Sequence, residues 1–447
     1  MAEQGDEAGR RRKRAGTKRK TKVTAALKDA LAKAGLELLR AGHDENEIDF
    51  EAKATLLRRC LLDRMATMFG SEWGHSEGDC LEQACRMDCP LLKPFGNEKK
   101  DPLDAVLRLG PVDGFDSLGE LYQQLSDLEL VATSSKTVKV VGSRSKRRRA
   151  GLFYTPPWMA RDMARWLVEG LEGKQPPDVL DPACGSGSLL LEVAISLAER
   201  WYENRAAGIR RLVGTTIFGI DIDPLAAALC RTRLWLEADP RQGRVEGLDG
   251  AVFVGDTIRG DLNDPGGGFD WNGFFGIPER KKGFGMVVTN PPFEVLTGYA
   301  RRQGLSDYAR AIRSSGYRYA VAGTLNTWKI FLERVVQLTA DGGRFAVVLP
   351  LSFTADRTAA PLRKLLLSNG WLRCLAFYPE SSRAFRDAAQ GVIWIGAEKK
   401  EGRRSFAITG GTEGTRSCSL EWIESLDGDC LSIPAAPASA VALAVRM

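Results

Sequence analysis

From residue 151 onward, short apolar runs alternate with longer stretches of helical spacing. The runs at 178–181, 216–221, 251–254, 286–289, 343–349, 371–377 and 391–396 are rich in Val, Ile, Leu and Phe. They show little polar alternation, as expected of strands buried on both faces. Leu189–Trp201, Leu225–Leu236 and Trp328–Leu338 fall between them with the periodicity of helices. Strand-then-helix alternation on this scale predicts an α/β fold, a parallel sheet covered on both faces, with ligands at the carboxyl ends of the strands. The Gly- and Asp-rich stretch 258–285 reads as an excursion loop.

Upstream the pattern changes. Apolar residues recur at helical spacing through Ala32, Gly35, Leu36 and Leu39, through Leu57, Cys60, Leu61 and Met65, and through Leu118, Leu121, Tyr122 and Leu125. Residues 23–130 therefore predict a helical N-terminal domain. Residues 131–150 are polar and end in Arg144, Lys146, Arg147, Arg148 and Arg149, which reads as a basic linker. Glu51-Ala52-Lys53 and Glu98-Lys99-Lys100 have the spacing of a nuclease motif but lack the preceding Pro-Asp strand, so both read as surface charge. At the other end, 401–447 is polar, Gly-rich text followed by Pro434-Ala435-Ala436-Pro437-Ala438. It is expected to be a C-terminal extension, the start of a truncated recognition region.

Charge sharpens one part of this picture. Residues 1–22 hold nine basic side chains against Glu3, Asp6 and Glu7, a surplus equal to the whole chain's +6. Such a tail reads as a disordered basic arm suited to nucleic acid phosphate, with a nuclear-import signal as the rival reading. The 44% hydrophobic and 27% charged content is ordinary for a globular protein. No stretch has the apolar length of a membrane span and the N-terminus shows no apolar signal core, so a cytoplasmic location is expected. The nine cysteines lack paired short spacings, which fits a reducing compartment. His75, Cys80, Cys85 and Cys89 lack the zinc-knuckle spacing, and no metal is expected. His43 and His75 are the only two histidines, so histidine acid–base chemistry is not expected in the 151–400 region.

The chemistry concentrates in Val287-Val288-Thr289-Asn290-Pro291-Pro292-Phe293-Glu294. Val-Val-Thr favours a strand, and two prolines cannot continue a ladder, so the chain leaves the sheet there. The stiff loop holds the Asn290 amide and the Pro291 carbonyl as two acceptors, suited to an NH2 group whose nitrogen must attack. Phe293 adds a flat face for a planar ring. Taken alone, Asn-Pro is also a common turn starter.

Three other stretches precede it. Asp181-Pro182-Ala183-Cys184-Gly185-Ser186-Gly187-Ser188 follows a predicted strand and opens a helix, and its glycines permit a tight turn and close approach of a ligand. Gly219-Ile220-Asp221-Ile222-Asp223-Pro224 ends the next strand in a carboxylate able to accept two ribose hydroxyls, with Asp223 as the fallback. Gly151-Leu152-Phe153-Tyr154-Thr155-Pro156-Pro157 places Thr155 to cap a helix whose first residue would be Pro156. The third glycine of a dinucleotide fingerprint is absent, Leu190 standing in its place.

In this order the four stretches resemble the gamma-type N6-adenine-specific DNA methyltransferases of restriction–modification and phage defence, over about residues 151–400. The resemblance implies a Rossmann-like seven-stranded sheet that binds S-adenosyl-L-methionine, its last strand antiparallel. It implies that Tyr154 and Thr155 grip the cofactor carboxylate, that Asp181 and the Ala183–Gly187 loop with Gly185 hold its methionine part, that Asp221 holds the ribose and that Asp256 lies near the adenine. Asp256 also reads as an ordinary turn aspartate. Asn290, Pro291, Pro292 and Phe293 would form the catalytic loop around a base flipped from DNA, since the amine is inaccessible inside a duplex. Phe385 is the expected second stacking ring, with Phe377 or Tyr378 as alternatives. Tyr299, Arg301, Arg302, Tyr308, Arg310, Arg313, Tyr317 and Arg318 interleave aromatic and basic residues after the loop, and read as a nucleic-acid-facing lid.

One departure from the family stands out, because no large recognition domain follows the last strand. Specific methylation of DNA would then require a missing C-terminal recognition domain or a specificity subunit. Two other readings compete. One is methylation of RNA adenine, cytosine N4 or a protein glutamine; the other is a nucleic-acid-binding subunit without catalysis.

Overall fold

The computed structural model describes residues 128–134, 137–142, 155–239, 242, 245–260, 262, 268–275, 283–296, 305–380, 391–410 and 414–435. The chain divides into two units, Met1–Arg147 and Arg148–Met447. In the first, strands β1 (Leu128–Ser134) and β2 (Thr137–Gly142) pair antiparallel, Leu128 opposite Gly142. This corrects the reading of 128–130 as helix end and of 131–142 as linker. Val131, Val138, Val140 and Val141 are β-branched, and the two runs are close enough for a hairpin. The predicted basic tail, the rest of the helical domain, the His75–Cys89 cluster and the Arg144–Arg149 run lie outside the described residues.

The second unit opens with α1 (Pro157–Val168), whose buried stripe is Met159, Ala160, Met163, Ala164 and Leu167. Strand and helix then alternate: β3 (Val179–Asp181), α2 (Ser188–Trp201), α3 (Arg205–Leu212), β4 (Ile217–Asp221), α4 (Pro224–Glu237) and β5 (Val252–Val254). A short helix α5 (Trp271–Phe275) precedes β6 (Phe284–Thr289). Helices α6 (Leu305–Arg313) and α7 (Thr327–Leu338) lead into β7 (Thr339–Pro350), and α8 (Ala360–Ser368) into β8 (Leu372–Tyr378). The antiparallel β9 (Val392–Glu398) follows. Within the predicted loop at 258–285, the described residues include helix α5. Trp271 and Phe274 are buried and pack edge-on with Phe253, Phe269 and Phe218.

The sheet has nine strands, not seven, in the order β11-β10-β8-β9-β7-β6-β3-β4-β5. The extra strands are β10 (Ser405–Thr409) and β11 (Thr415–Ser419), and α9 (Leu420–Asp427) follows them. They correct, for the described residues, the reading of 401–447 as a polar extension that starts a truncated recognition region. Phe406, Ile408, Cys418, Leu420, Ile423, Leu431 and Ile433 are all buried in the main core. Residues 405–435 therefore continue the catalytic sheet instead of starting a recognition region. Arg363 fastens this part by donating to the carbonyls of Cys430 and Leu431 at 2.7 and 3.1 Å.

Strands β3 to β7 are mutually parallel, and β9 is antiparallel to both β7 and β8. From β3 the order runs through β4 to β5 on one side, and through β6 to β7 on the other. The direction of winding thus reverses between β3 and β6. A crevice opens at such a reversal, outside the carboxyl ends of the strands. Asp181 ends β3 and Asn290 follows β6, so the two flank it. Among the described residues, no helix is long and apolar enough to cross a membrane.

Candidate active site

Asp221, at the end of β4, accepts three hydrogen bonds, one of them from the loop after β3. Its Oδ2 accepts from the Gly185 amide at 2.8 Å, its Oδ1 from the Asp223 amide at 2.9 Å, and its carbonyl from the Gly255 amide at 2.9 Å. One residue thereby ties the turns after β3, β4 and β5. Each carboxylate oxygen still has a second lone pair. Asp181 is buried and accepts from the Ala183 amide at 3.1 Å. Burial raises its carboxyl to about 8, and raises that of Asp221 to about 6.

Gly187 has φ +84°, and a β-carbon there would lie 2.6 Å from Cys230 Sγ. Gly185 has φ +53° and open space around it. Only a residue without a β-carbon adopts the first geometry unstrained in that space. The loop is thus a tight turn held from within, the Ala183 and Gly185 amides bonded to Asp181 and Asp221 and the Cys184 amide to the Ile220 carbonyl, with two carboxyl groups beside it. Ile222 is 67% exposed and Val254 48% exposed, at the ends of β4 and β5. Such apolar surface at a strand end suits one face of a purine, and the sequence reading missed it because both residues resemble ordinary strand text. Two carboxyl groups, an apolar surface and the open space at Gly185 converge there, so the residues present fit S-adenosyl-L-methionine.

Asp256 follows β5 in a turn. Its Oδ1 accepts from the Ile258 and Arg259 amides, each at 3.2 Å, and its Oδ2 from the Tyr308 hydroxyl at 2.9 Å. These bonds make it at least a turn aspartate. Thr257, buried beside it, donates to the Pro182 carbonyl at 2.8 Å and anchors that turn to the glycine loop.

The Asn-Pro-Pro-Phe loop is held from below by the start of α7. Thr327 Oγ donates to the Pro292 carbonyl at 2.5 Å, and accepts from the Glu294 amide at 2.9 Å. The Thr327 amide donates to the Glu294 carbonyl at 2.9 Å. Pro291 is buried, while Asn290 and Phe293 are half-buried, Phe293 resting on the main core. Asn290 Nδ2 donates to Thr155 Oγ1 at 2.9 Å. This corrects the expected cap: α1 begins at Pro157, its N-cap is Pro156 without a side-chain bond, and the Thr155 hydroxyl serves Asn290 instead. The first motif therefore meets the Asn-Pro-Pro-Phe loop directly.

Two aromatic expectations also change. Phe377 is buried in the core, whereas Tyr378 is half-buried at the strand end, edge-on to Trp158 with ring centroids 5.0 Å apart. The predicted lid is partly stitched down. Besides the Tyr308–Asp256 bond, buried Tyr317 donates to the Ile258 carbonyl at 2.6 Å and accepts from Arg334 Nε at 3.0 Å. Burial holds both phenols above the ordinary range. Glu333 accepts from the amides of Arg318, Tyr319 and Ala320 at 2.6, 2.9 and 2.7 Å. Tyr308 and Tyr317 thus face protein, and Arg310, Arg313 and Arg318 are the exposed members of that group. Tyr154, Phe385, Tyr299, Arg301 and Arg302 lie outside the described residues.

A glycine cradle, an acidic strand end and an Asn-Pro-Pro-Phe loop at one winding reversal invite comparison with known proteins. The model of the N-6 DNA methylase family matches residues 142–406. The methylase subunit of the type I restriction enzyme EcoEI of Escherichia coli is 27% identical over 203 residues, 45% of this chain and 33% of the relative. The methylase subunit of the type I restriction enzyme MpnII of Mycoplasma pneumoniae is 21% identical over 318 residues, 67% of this chain and 52% of the relative. The chain thus spans a third to about half the length of these curated relatives. In fold it is similar to the ATP-dependent type ISP restriction-modification enzyme LlaBIII bound to DNA, with a TM-score of 0.54 at 14% identity, over 87% of this chain and 29% of that one. Since the family model takes in all four motif stretches and more than half of the sequence, this chain belongs to the N-6 DNA methylase family.

Proposed function

We propose that the chain transfers a methyl group from S-adenosyl-L-methionine to the N6 amine of adenine in DNA, as the catalytic part of a restriction–modification methylase. The observation that carries this reading is the 2.9 Å bond from Asn290 Nδ2 to Thr155 Oγ1. It supports an amide oriented with its nitrogen toward Thr155. With the nitrogen committed to Thr155, the carbonyl oxygen is the end presented to an incoming amine. The Pro291 carbonyl supplies the second acceptor.

The adenine lone pair is delocalised into the ring and is a poor nucleophile. Two acceptors, one for each N–H, draw that nitrogen toward tetrahedral geometry and aim its lone pair. When bound, S-adenosyl-L-methionine supplies an electrophilic methyl on a sulfonium. Asp181 and the Ala183–Gly187 loop hold the methionine part, the remaining acceptor capacity of Asp221 takes the ribose, and Ile222 lies against the adenine. Asp256 would reach the adenine amine through the lone pair that Oδ2 keeps beside its bond from Tyr308. Positioning supplies most of the rate, and the proton leaves to solvent after transfer. Phe293 stacks on the flipped base, and Phe385 is the expected second face.

Both curated relatives named above are subunits of type I restriction enzymes, which supports a role for this chain beside a partner that reads sequence. On this reading the isolated chain binds DNA with little sequence preference, through phosphate contacts. The experiment is incubation with labelled cofactor and, separately, DNA, RNA and protein, followed by identification of the labelled product. Label in N6-methyladenine of DNA supports the proposal. Label confined to RNA, cytosine or glutamine replaces it with the corresponding rival, and cofactor binding without transfer favours a non-catalytic subunit.

A further inference from the structure

Trp158 gains the fold little. It lies beside the buried stripe of α1, in the helix's first turn, and is 40% exposed. It is three residues from Thr155, whose hydroxyl holds Asn290. Its ring meets Tyr378 edge-on, centroids 5.0 Å apart and planes at 62°. Two half-open aromatic rings thus meet each other one helical turn from the residue that holds Asn290.

The sheet register locates them. Tyr378 pairs with Val392 and Val392 with Pro350, whereas Thr289, the last residue of β6, pairs with Val347. The Tyr378 ring therefore stands at the same edge of the sheet as Asn290 and somewhat further out. Strands β7 and β9 lie between β6 and β8, so about 14 Å of sheet separates the two strand ends at the usual strand spacing. One nucleotide held at Asn290 and Phe293 does not reach across that distance. A further nucleotide of the same strand is needed to span it.

We infer that Trp158, supported by Tyr378, is a stacking surface for the nucleobase adjacent to the target adenine. This rests on the nucleic-acid methylation reading above. Aromatic rings take any base by its face, so the contact adds affinity and holds the strand open without selecting sequence. It also gives flipping a second source of stabilisation, because a neighbour that stays unstacked lowers the cost of keeping the target out.

The test uses the full chain and an oligodeoxythymidylate carrying one central adenine. Two further oligonucleotides carry an abasic site on one or the other side of that adenine. The wild-type chain is expected to bind one of the abasic versions roughly tenfold more weakly than the intact strand. Trp158→Ala should lose about the same affinity for the intact strand and no longer distinguish it from the abasic one. Trp158→Phe should keep most of the binding, and unchanged cofactor affinity of Trp158→Ala establishes that its fold persists. The inference is overturned if wild-type binding is absent or indifferent to both abasic sites, or if Trp158→Ala binds the intact strand like wild type. It is also overturned if Trp158→Ala binds weakly yet stays sensitive to the abasic site, since the ring then serves the fold or a protein partner. Failure of the methylation reading shows separately, as no methyl transfer to DNA by the wild-type chain.

Discussion

Asn290 and Thr155 are 135 residues apart in the chain, yet Asn290 Nδ2 and Thr155 Oγ1 lie 2.9 Å apart at the mouth of the crevice between β3 and β6. An asparagine amide is nearly symmetric in shape and opposite in chemistry at its two ends. Only the oxygen end can accept an N–H from an amine, so a partner that holds the nitrogen selects the reactive orientation.

Thr155→Val keeps the shape and removes the acceptor. We expect kcat to fall about tenfold or more, because a misdirected amide costs far more in the transition state than the hydrogen bond itself contributes to stability. Thr155→Ser should restore most of it. Steady-state rates at saturating cofactor check this, and a Val variant with normal kcat would remove Thr155 from the positioning role.

Asp181 and Asp221 give a pH signature. Burial raises them from 3.8 to about 8 and about 6, so the free protein binds more protons than its unfolded chain between pH 3.8 and about 8. Stability of the free protein therefore falls as pH rises through that window and levels off above it. Cofactor affinity should move the opposite way, rising to about pH 8, because an ionised Asp181 attracts the ammonium of the methionine part. Asp181→Asn should flatten both trends. Thermal unfolding and calorimetric titration from acid to mildly alkaline pH provide the check.

The two glycines of the cradle should not be equivalent. At Gly185 alanine meets only an unfavourable left-handed backbone, about 1–2 kcal/mol. At Gly187 it meets the same penalty plus Cys230 Sγ at 2.6 Å, a further 1–3 kcal/mol or so. Gly187→Ala should lower Tm and cofactor affinity more than Gly185→Ala. Adding Cys230→Ala should recover part of the Gly187 loss, since the sulfur is the nearest clash.

Much of the sheet was legible because β3, β4, β6, β9 and the second half of β7, from Phe345 on, are buried on both faces and so appear as largely apolar runs. β10 and β11 were not. In Ser405–Thr409 only Phe406 and Ile408 are buried, and in Thr415–Ser419 only Cys418, so these two outermost strands, with β11 at the edge, resemble polar loop text. The hairpin at 128–142 was lost where Leu128 continued a helical spacing. In the site, the motifs identified the strand-end residues, but strand order is absent from a sequence, and with it the winding reversal that brings Asp181 beside Asn290. Tyr308 and Tyr317 misled for a similar reason. Tyrosines among arginines suit a nucleic-acid surface, but their hydroxyls are bonded to Asp256 and to the Ile258 carbonyl.

The most direct measurement compares wild type with Asn290→Ala on DNA, using labelled cofactor, enzymatic digestion to nucleosides and a parallel cofactor titration. The account predicts N6-methyladenine from wild type, no detectable product from Asn290→Ala, and nearly equal cofactor affinity for both, because the lost contacts form only with the substrate amine in the transition state. Substantial N6-methyladenine from the Asn290→Ala chain would contradict it.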